Sequence, residues 1–177
     1  DKWLVWQEFS PTSRTFKTKG KFYSQVAGHW SGIETYSDGN SHAGFAQVSL
    51  DNLGEGIMFW READNSRQVP AHHFIGTTTP SDGYLSMSAT AHLKVLNRSL
   101  AGQITGRKAL TDPGQDSFNT SVETSENVNI RFTSKGGAVA TWYGFDGQDY
   151  RVYTSLRDDS GSWDSPTALS LPGNHAK

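Results

Sequence analysis

The chain has 177 residues, 34% hydrophobic and 19% charged, with 16 Lys or Arg against 18 Asp or Glu and a formal net charge of −2. No basic block stands out, which excludes nucleic acid as an expected partner, since affinity there comes largely from neutralising phosphates. The lack of cysteine excludes disulfides and thiolate sites, and no apolar run approaches the ~20 residues of a membrane-spanning helix.

The chain opens on DKWLVWQE (1–8), an apolar strand that carries Trp6 near its end. Residues 22–26 place Phe22, Ser24 and Val26 on one face and Tyr23 and Gln25 on the other, the period-two signature of a strand. Trp30 begins the next stretch, 29–38. Residues 45–50 alternate, Asp51-Asn52-Leu53-Gly54 turns the chain, and IMFW (57–60) is continuously apolar, as an inner strand covered on both faces would be. Further on, 128–133 alternates and Ser134-Lys135-Gly136-Gly137 turns the chain into AVATWY (138–143). The stretch 151–156 then sets Val152, Thr154 and Leu156 against Arg151, Tyr153 and Ser155. Asp158-Asp159-Ser160-Gly161 separates that strand from Trp163.

Two phrases of this chain repeat: AGFAQVSLDNLGEGIMFWRE (43–62) and NVNIRFTSKGGAVATWY (127–143). Each is a strand, a glycine-bearing turn and a second strand ending at a tryptophan. Adding GKFYSQVA or YRVYTSLRD as a third strand, and the segments at Trp30 or Trp163 as a fourth, writes out a four-stranded antiparallel meander, the blade of a β-propeller. The expected fold is therefore all-β, a single domain 1–177 of about four such units: 1–42, 43–85, a degenerate 86–126 and 127–177. Within the degenerate unit, residues 99–104 are expected as the second strand. The competing division is three repeats with a long insertion around 76–126. The first unit lacks its own first strand, and four blades are few for one ring. A larger propeller, a homo-oligomer or another chain completing an otherwise incomplete ring are the alternatives.

These phrases resemble the tandem repeats of bacterial exported β-propeller proteins, which relate loosely to the sialidase-type, Asp-box propellers. The resemblance covers roughly 1–62 and 127–170 and implies four-stranded blades and a secreted or cell-surface setting. The chain departs from the Asp-box pattern S-x-D-x-G-x-T-W. Asp158 stands at the matching distance from Trp163, but Leu156 replaces the serine and the glycine is displaced by one. The turn is read as structural, with no catalytic meaning.

Trp6, Trp60 and Trp142 are expected in the core between blades. Trp30 and Trp163 begin fourth strands, where the structural role competes with a binding surface. The candidate ligand-binding residues are Arg61, Tyr143, Arg151, Tyr153 and Trp163, with Tyr150 and Arg157 beside them. Such a set suits a glycan or polysaccharide, because sugars stack apolar ring faces on aromatics and offer hydroxyls to polar side chains. Glu8 and Glu62 each follow a tryptophan by two residues, while Gly144 takes that place after Trp142. Both glutamates are expected at exposed strand ends, the alternative being a polar ring at the propeller mouth. His72 and His73 are adjacent, so on a strand they point to opposite faces and suit no shared metal. No cofactor and no metal are expected, calcium at an Asp/Asn-rich turn being the alternative. The sequons at Asn97 and Asn119 are read as chance.

Three functions follow. The first is an extracellular carbohydrate-binding module, a lectin or adhesion domain, since no serine-nucleophile, phosphate-loop or zinc-protease motif occurs. The second is a polysaccharide hydrolase or lyase with its site at the propeller mouth, drawing on His72, His73, Tyr84 and Arg67. The third is a structural repeat segment of a larger surface protein.

Overall fold

The computed structural model of the chain describes residues 1–13, 15–38, 41, 43–63, 90–111, 116–117, 128–146 and 148–173. Among them the all-β expectation holds: the strands are antiparallel and no helix is present, so none is long and apolar enough to cross a membrane. Sheet I joins β1 (Lys2–Ser10), β2 (Thr15–Ser24) and β3 (His29–Trp30) in that order, with β4 (Glu34–Thr35) also paired to β2. Sheet II runs β5 (Ala43–Leu50), β6 (Gly56–Ala63), β7 (Thr90–Arg98), β8 (Ile104–Ala109), with β9 (Asp116–Ser117) on β7. Sheet III runs β10 (Asn129–Phe132), β11 (Ala138–Phe145), β12 (Tyr150–Arg157), β13 (Thr167–Ala168).

The turns have a common construction. At 51–55, 99–103, 133–137 and 158–162 the first residue's N–H donates to the fifth residue's carbonyl, at 2.7–2.9 Å. The fourth residue is a glycine with φ between 76° and 98°, which an L side chain adopts only with strain. In two of these turns an aspartate organises the loop: Asp51 Oδ1 accepts the N–H groups of Leu53, Gly54 and Glu55 at 2.7–2.9 Å, and Asp158 Oδ1 accepts those of Ser160 and Ser162 at 2.9 Å.

Three expectations are corrected. Residues 99–103 form a turn, not the second strand of a degenerate unit. The division at 85/86 falls inside one sheet, because β7 pairs with β6 along its whole length, Gly56 with Arg98 through Ala63 with Ala91. Residues 43–109 thus supply a single four-stranded meander with 64–89 between its second and third strands. The strand at 22–26 ends at Ser24, and Val26 stands 97% exposed in the following turn.

Sheet II lies between the other two, which explains the apolar run at 57–60. Met58 and Trp60 pack toward sheet I with Trp3, Phe22, Tyr36 and Leu96. Ile57 and Phe59, on the opposite face, pack toward sheet III with Val95, Ile130, Ala140, Trp142 and Trp163. All four residues of the run are at most 1% exposed, each contributing about 1.5–3 kcal/mol of burial. In β12 the alternation holds but its polarity is reversed. Ser155 is buried toward sheet II, and Leu156 points out at 51% exposure.

Polar ties cross both interfaces. Arg98, 3% exposed, donates to the Glu34 carboxylate, the Tyr36 hydroxyl and the Gly102 carbonyl, and its guanidinium lies 5.0 Å from the ring centres of both Trp3 and Phe22. Between sheets II and III, Arg61 Nη2 donates to the Tyr143 carbonyl at 2.9 Å and Asn97 Nδ2 to the Gly161 carbonyl at 3.2 Å.

Candidate functional site

Two places gather polar side chains. The first is a cleft of about 400 Å3 where the edge of sheet II meets the 158–162 turn of sheet III. Val95, Asn97 and the β8 residues Thr105 to Lys108 form one side, and Ser160, Gly161, Ser162 and Trp163 the other. The turn is held open by Asp158, whose carboxyl the Ser160 hydroxyl and the Ser162 N–H keep below the ordinary aspartate range. Asn97 spans the cleft floor, accepting from Trp163 Nε1 at 3.4 Å while donating to Gly161. Lys108 Nζ donates to the Trp163 carbonyl at 3.0 Å. The cleft thus combines an indole edge, an amide, two serine hydroxyls and an ammonium group, while the Arg107 guanidinium lies on the other face of the sheet, 5.8 Å from the Trp60 ring centre and 3.9 Å from Asp38.

The second place is the shared strand end between sheets I and II. Glu62 is only 3% exposed, contrary to the expected exposed strand end. Its Oε1 accepts the Asp38 N–H at 3.0 Å and its Oε2 the Trp60 indole N–H at 2.7 Å. Burial pushes its carboxyl above the usual glutamate range, and the Asp38 charge adds to this, against the pull of the two hydrogen bonds and of Lys94. Lys17, also buried, donates to the Asp38 and Ser41 carbonyls at 2.8 and 3.3 Å. Burial lowers its pKa, opposed by the charges of Glu62 and Asp38. Glu8 makes the same bond to Trp6 at 3.3 Å, but in the open and paired with Lys19. Where Gly144 replaces the glutamate, the buried Trp142 Nε1 has no partner among the described residues.

A carboxyl raised by the fold binds its proton more tightly in the native state. The stability it contributes is therefore full below the ordinary glutamate range and is lost as the pH climbs through the raised native value. We expect the wild type's advantage over Glu62→Gln, read by urea unfolding, to be greatest at or below about pH 4 and to shrink as the pH rises. A difference that does not change with pH contradicts this assignment.

The five candidate binding residues do not come together. Trp163 lines the cleft but is 7% exposed and packs edge-on against Phe59, 5.2 Å between ring centres. Arg61 is 9% exposed and committed to the Tyr143 backbone. Tyr153 stacks on Trp142 at 6.0 Å with 18° between planes, while Tyr143 pairs with Val152 on the other face of sheet III. Arg151 donates through Nε and Nη2 to the Ser170 carbonyl at 3.1 and 2.5 Å and lies 3.5 Å from Asp146. Sequence reasoning passed over Asn97, Lys108, Ser160 and Ser162. Arg107-Lys108 is the one adjacent basic pair in the chain, and the two serines flank a turn already recognised.

His29 and His92 engage the Ala27 and Thr111 carbonyls through Nδ1, at 3.0 and 3.1 Å. His42, His72, His73, His175, Arg67, Tyr84 and Asn119 lie outside the described residues. Among the described residues no group of three His, Asp or Glu side chains is placed to hold a metal ion.

No family model matches the chain, and no curated protein matches it. Among solved structures it is similar to the crystal structure of a glycosyl hydrolase from Bacteroides ovatus, with 13% identity and a TM-score of 0.39. The match covers 82% of this chain and 35% of that one, so the chain spans about a third of that protein's length.

Proposed function

We propose that the chain is a run of three β-propeller blades that binds carbohydrate in the cleft between its second and third sheets, as an exported or cell-surface lectin or adhesion module. The blade reading is supported by three successive meanders stacked face to face, with equivalent tryptophans at Trp6, Trp60 and Trp142. The binding reading rests on one observation. The cleft, at about 400 Å3, has the size of a small-molecule site and joins an aromatic edge to an amide, hydroxyls and an amine. Lys108 favours a sugar bearing a carboxylate or sulfate. Lys108→Ala is expected to weaken glycan binding about tenfold, as the loss of one charged hydrogen bond does, and to lower the melting temperature by a few degrees, since the bond to the Trp163 carbonyl goes with it. Calorimetric titration of both proteins with the same acidic oligosaccharide checks this; equal affinities remove the cleft as the site.

A hydrolase or lyase is the second reading, and Glu62 is the observation that favours it. A carboxyl raised above the ordinary glutamate range suits a general acid. A general acid also needs a path to its substrate, and Glu62 is buried with both oxygens engaged. The binding module therefore stands first.

A further inference from the structure

The outer face of sheet I repeats an interface that the other two sheets bury. Register makes the equivalence explicit. Trp6 pairs with Lys19, Trp60 with Lys94 and Trp142 with Tyr153, so the three tryptophans hold the same place in their meanders. Four residues further along each partner strand, Trp30 pairs with Tyr23 and Trp163 bridges Arg157 in the same way. Two residues before each tryptophan stand Leu4, Met58 and Ala140.

In sheets II and III these positions face the preceding sheet and are closed. Trp60 and Trp142 are 1% exposed, Met58 and Ala140 0%, and Trp163 7%. In sheet I, Trp3 and Phe22 face sheet II, which turns Leu4 and Trp6 the other way. There Leu4 is 55% and Trp30 43% exposed, and Trp6 is half-buried. Among the described strands, none packs on that face. Large apolar side chains gathered on an open face mark an interaction surface.

The complementary half of the interface lies at the other end of the stack. Sheet II meets sheet III through Ile57 and Leu93, among others, and their register equivalents in sheet III are Val139 and Val152. With Leu156, which holds the place of Asn97 and is 51% exposed, they form the outward face of sheet III.

We infer that two copies of this chain associate head to tail, the outer face of sheet III of one copy closing on the outer face of sheet I of the other. The inference rests on the blade reading above. Each copy brings three sheets. Two copies bring six, within the four to eight blades of closed propellers, and both ends are covered at once. Each of the two contacts joins unlike faces, and a two-fold axis relates them, so the pair closes instead of growing into a filament.

Sedimentation of the full chain from about 1 µM to about 500 µM tests this. The expected species has twice the 19.4 kDa chain mass. Trp6→Lys and Leu156→Asp, on opposite faces, should each give monomers with unchanged far-ultraviolet circular dichroism, and mixing the two variants should restore part of the association. A wild type that stays monomeric throughout overturns the pairing. So does a dimer lost in Trp6→Lys but kept in Leu156→Asp, which would be a symmetric contact of sheet I with itself. The blade reading fails separately, through the response of Trp142 to truncation.

Discussion

Trp142→Ala should lower the stability of the chain by about 3–5 kcal/mol, while Trp6→Ala, at a protein concentration that keeps the chain monomeric, should cost about 1 kcal/mol or less. The two residues hold the same place in successive meanders, so sequence alone assigns them one role. Their surroundings differ. Trp142 is 1% exposed in the core between sheets II and III, stacked on Tyr153 and surrounded by Ile57, Phe59, Leu93 and Val95. Truncation removes a large burial and leaves a cavity that packed strands cannot collapse to fill. Trp6 lies half-buried on the open face of sheet I, its indole N–H on Glu8 and Lys19 its cross-strand partner. For a chain of this length the difference corresponds to about 4–16 °C in melting temperature. Thermal unfolding of both variants reads it directly. Equal losses contradict the stacking of sheet III on sheet II.

Arg98→Ala is the second large effect, expected at about 2–4 kcal/mol. Arg98 comes from sheet II but serves sheet I: its guanidinium holds the Glu34 carboxylate and the Tyr36 hydroxyl and covers the faces of Trp3 and Phe22. Removing it strands the carboxylate, leaves the Tyr36 hydroxyl with the Trp3 indole N–H but without the guanidinium, and opens a gap between the two rings. The lower figure reflects Glu34, whose side chain is 30% exposed and regains some water. Arg98→Lys should recover less than half of the loss, since a point charge cannot reach acceptors in two directions and stack on two rings together. Chemical denaturation with and without salt checks the assignment. Because Arg98 is 3% exposed, the loss should change little with ionic strength. A loss below about 1 kcal/mol contradicts an inter-sheet tie at this residue.

The hairpins at 43–62 and 127–143 are legible in the sequence because each strand alternates and each turn carries its glycine at the strained position. The tryptophan equivalence is legible for the same reason, as a matter of spacing. The pairing of β7 with β6 is not, because residues 64–89 separate the two strands in sequence. AHLKVLNR alternates well enough to be a strand, but nothing in it says which neighbour it takes. The candidate binding residues are dispersed for a related reason. Periodicity places Arg61 and Trp163 on strands without saying that another sheet will cover them. The acceptor for Arg61 is a backbone carbonyl 82 residues away, invisible to side-chain patterns. Glu62 shows the same limit: its spacing from Trp60 matches Glu8 and Trp6, yet one pair is buried and the other open.

The most direct test of the account is a glycan-array screen of the purified chain, run beside Lys108→Ala and heat-unfolded protein. Selective binding to a related set of acidic sugars is expected, lost on unfolding and strongly reduced in the variant. A blank array, or binding that Lys108→Ala leaves intact, contradicts a carbohydrate site in the cleft between the second and third sheets.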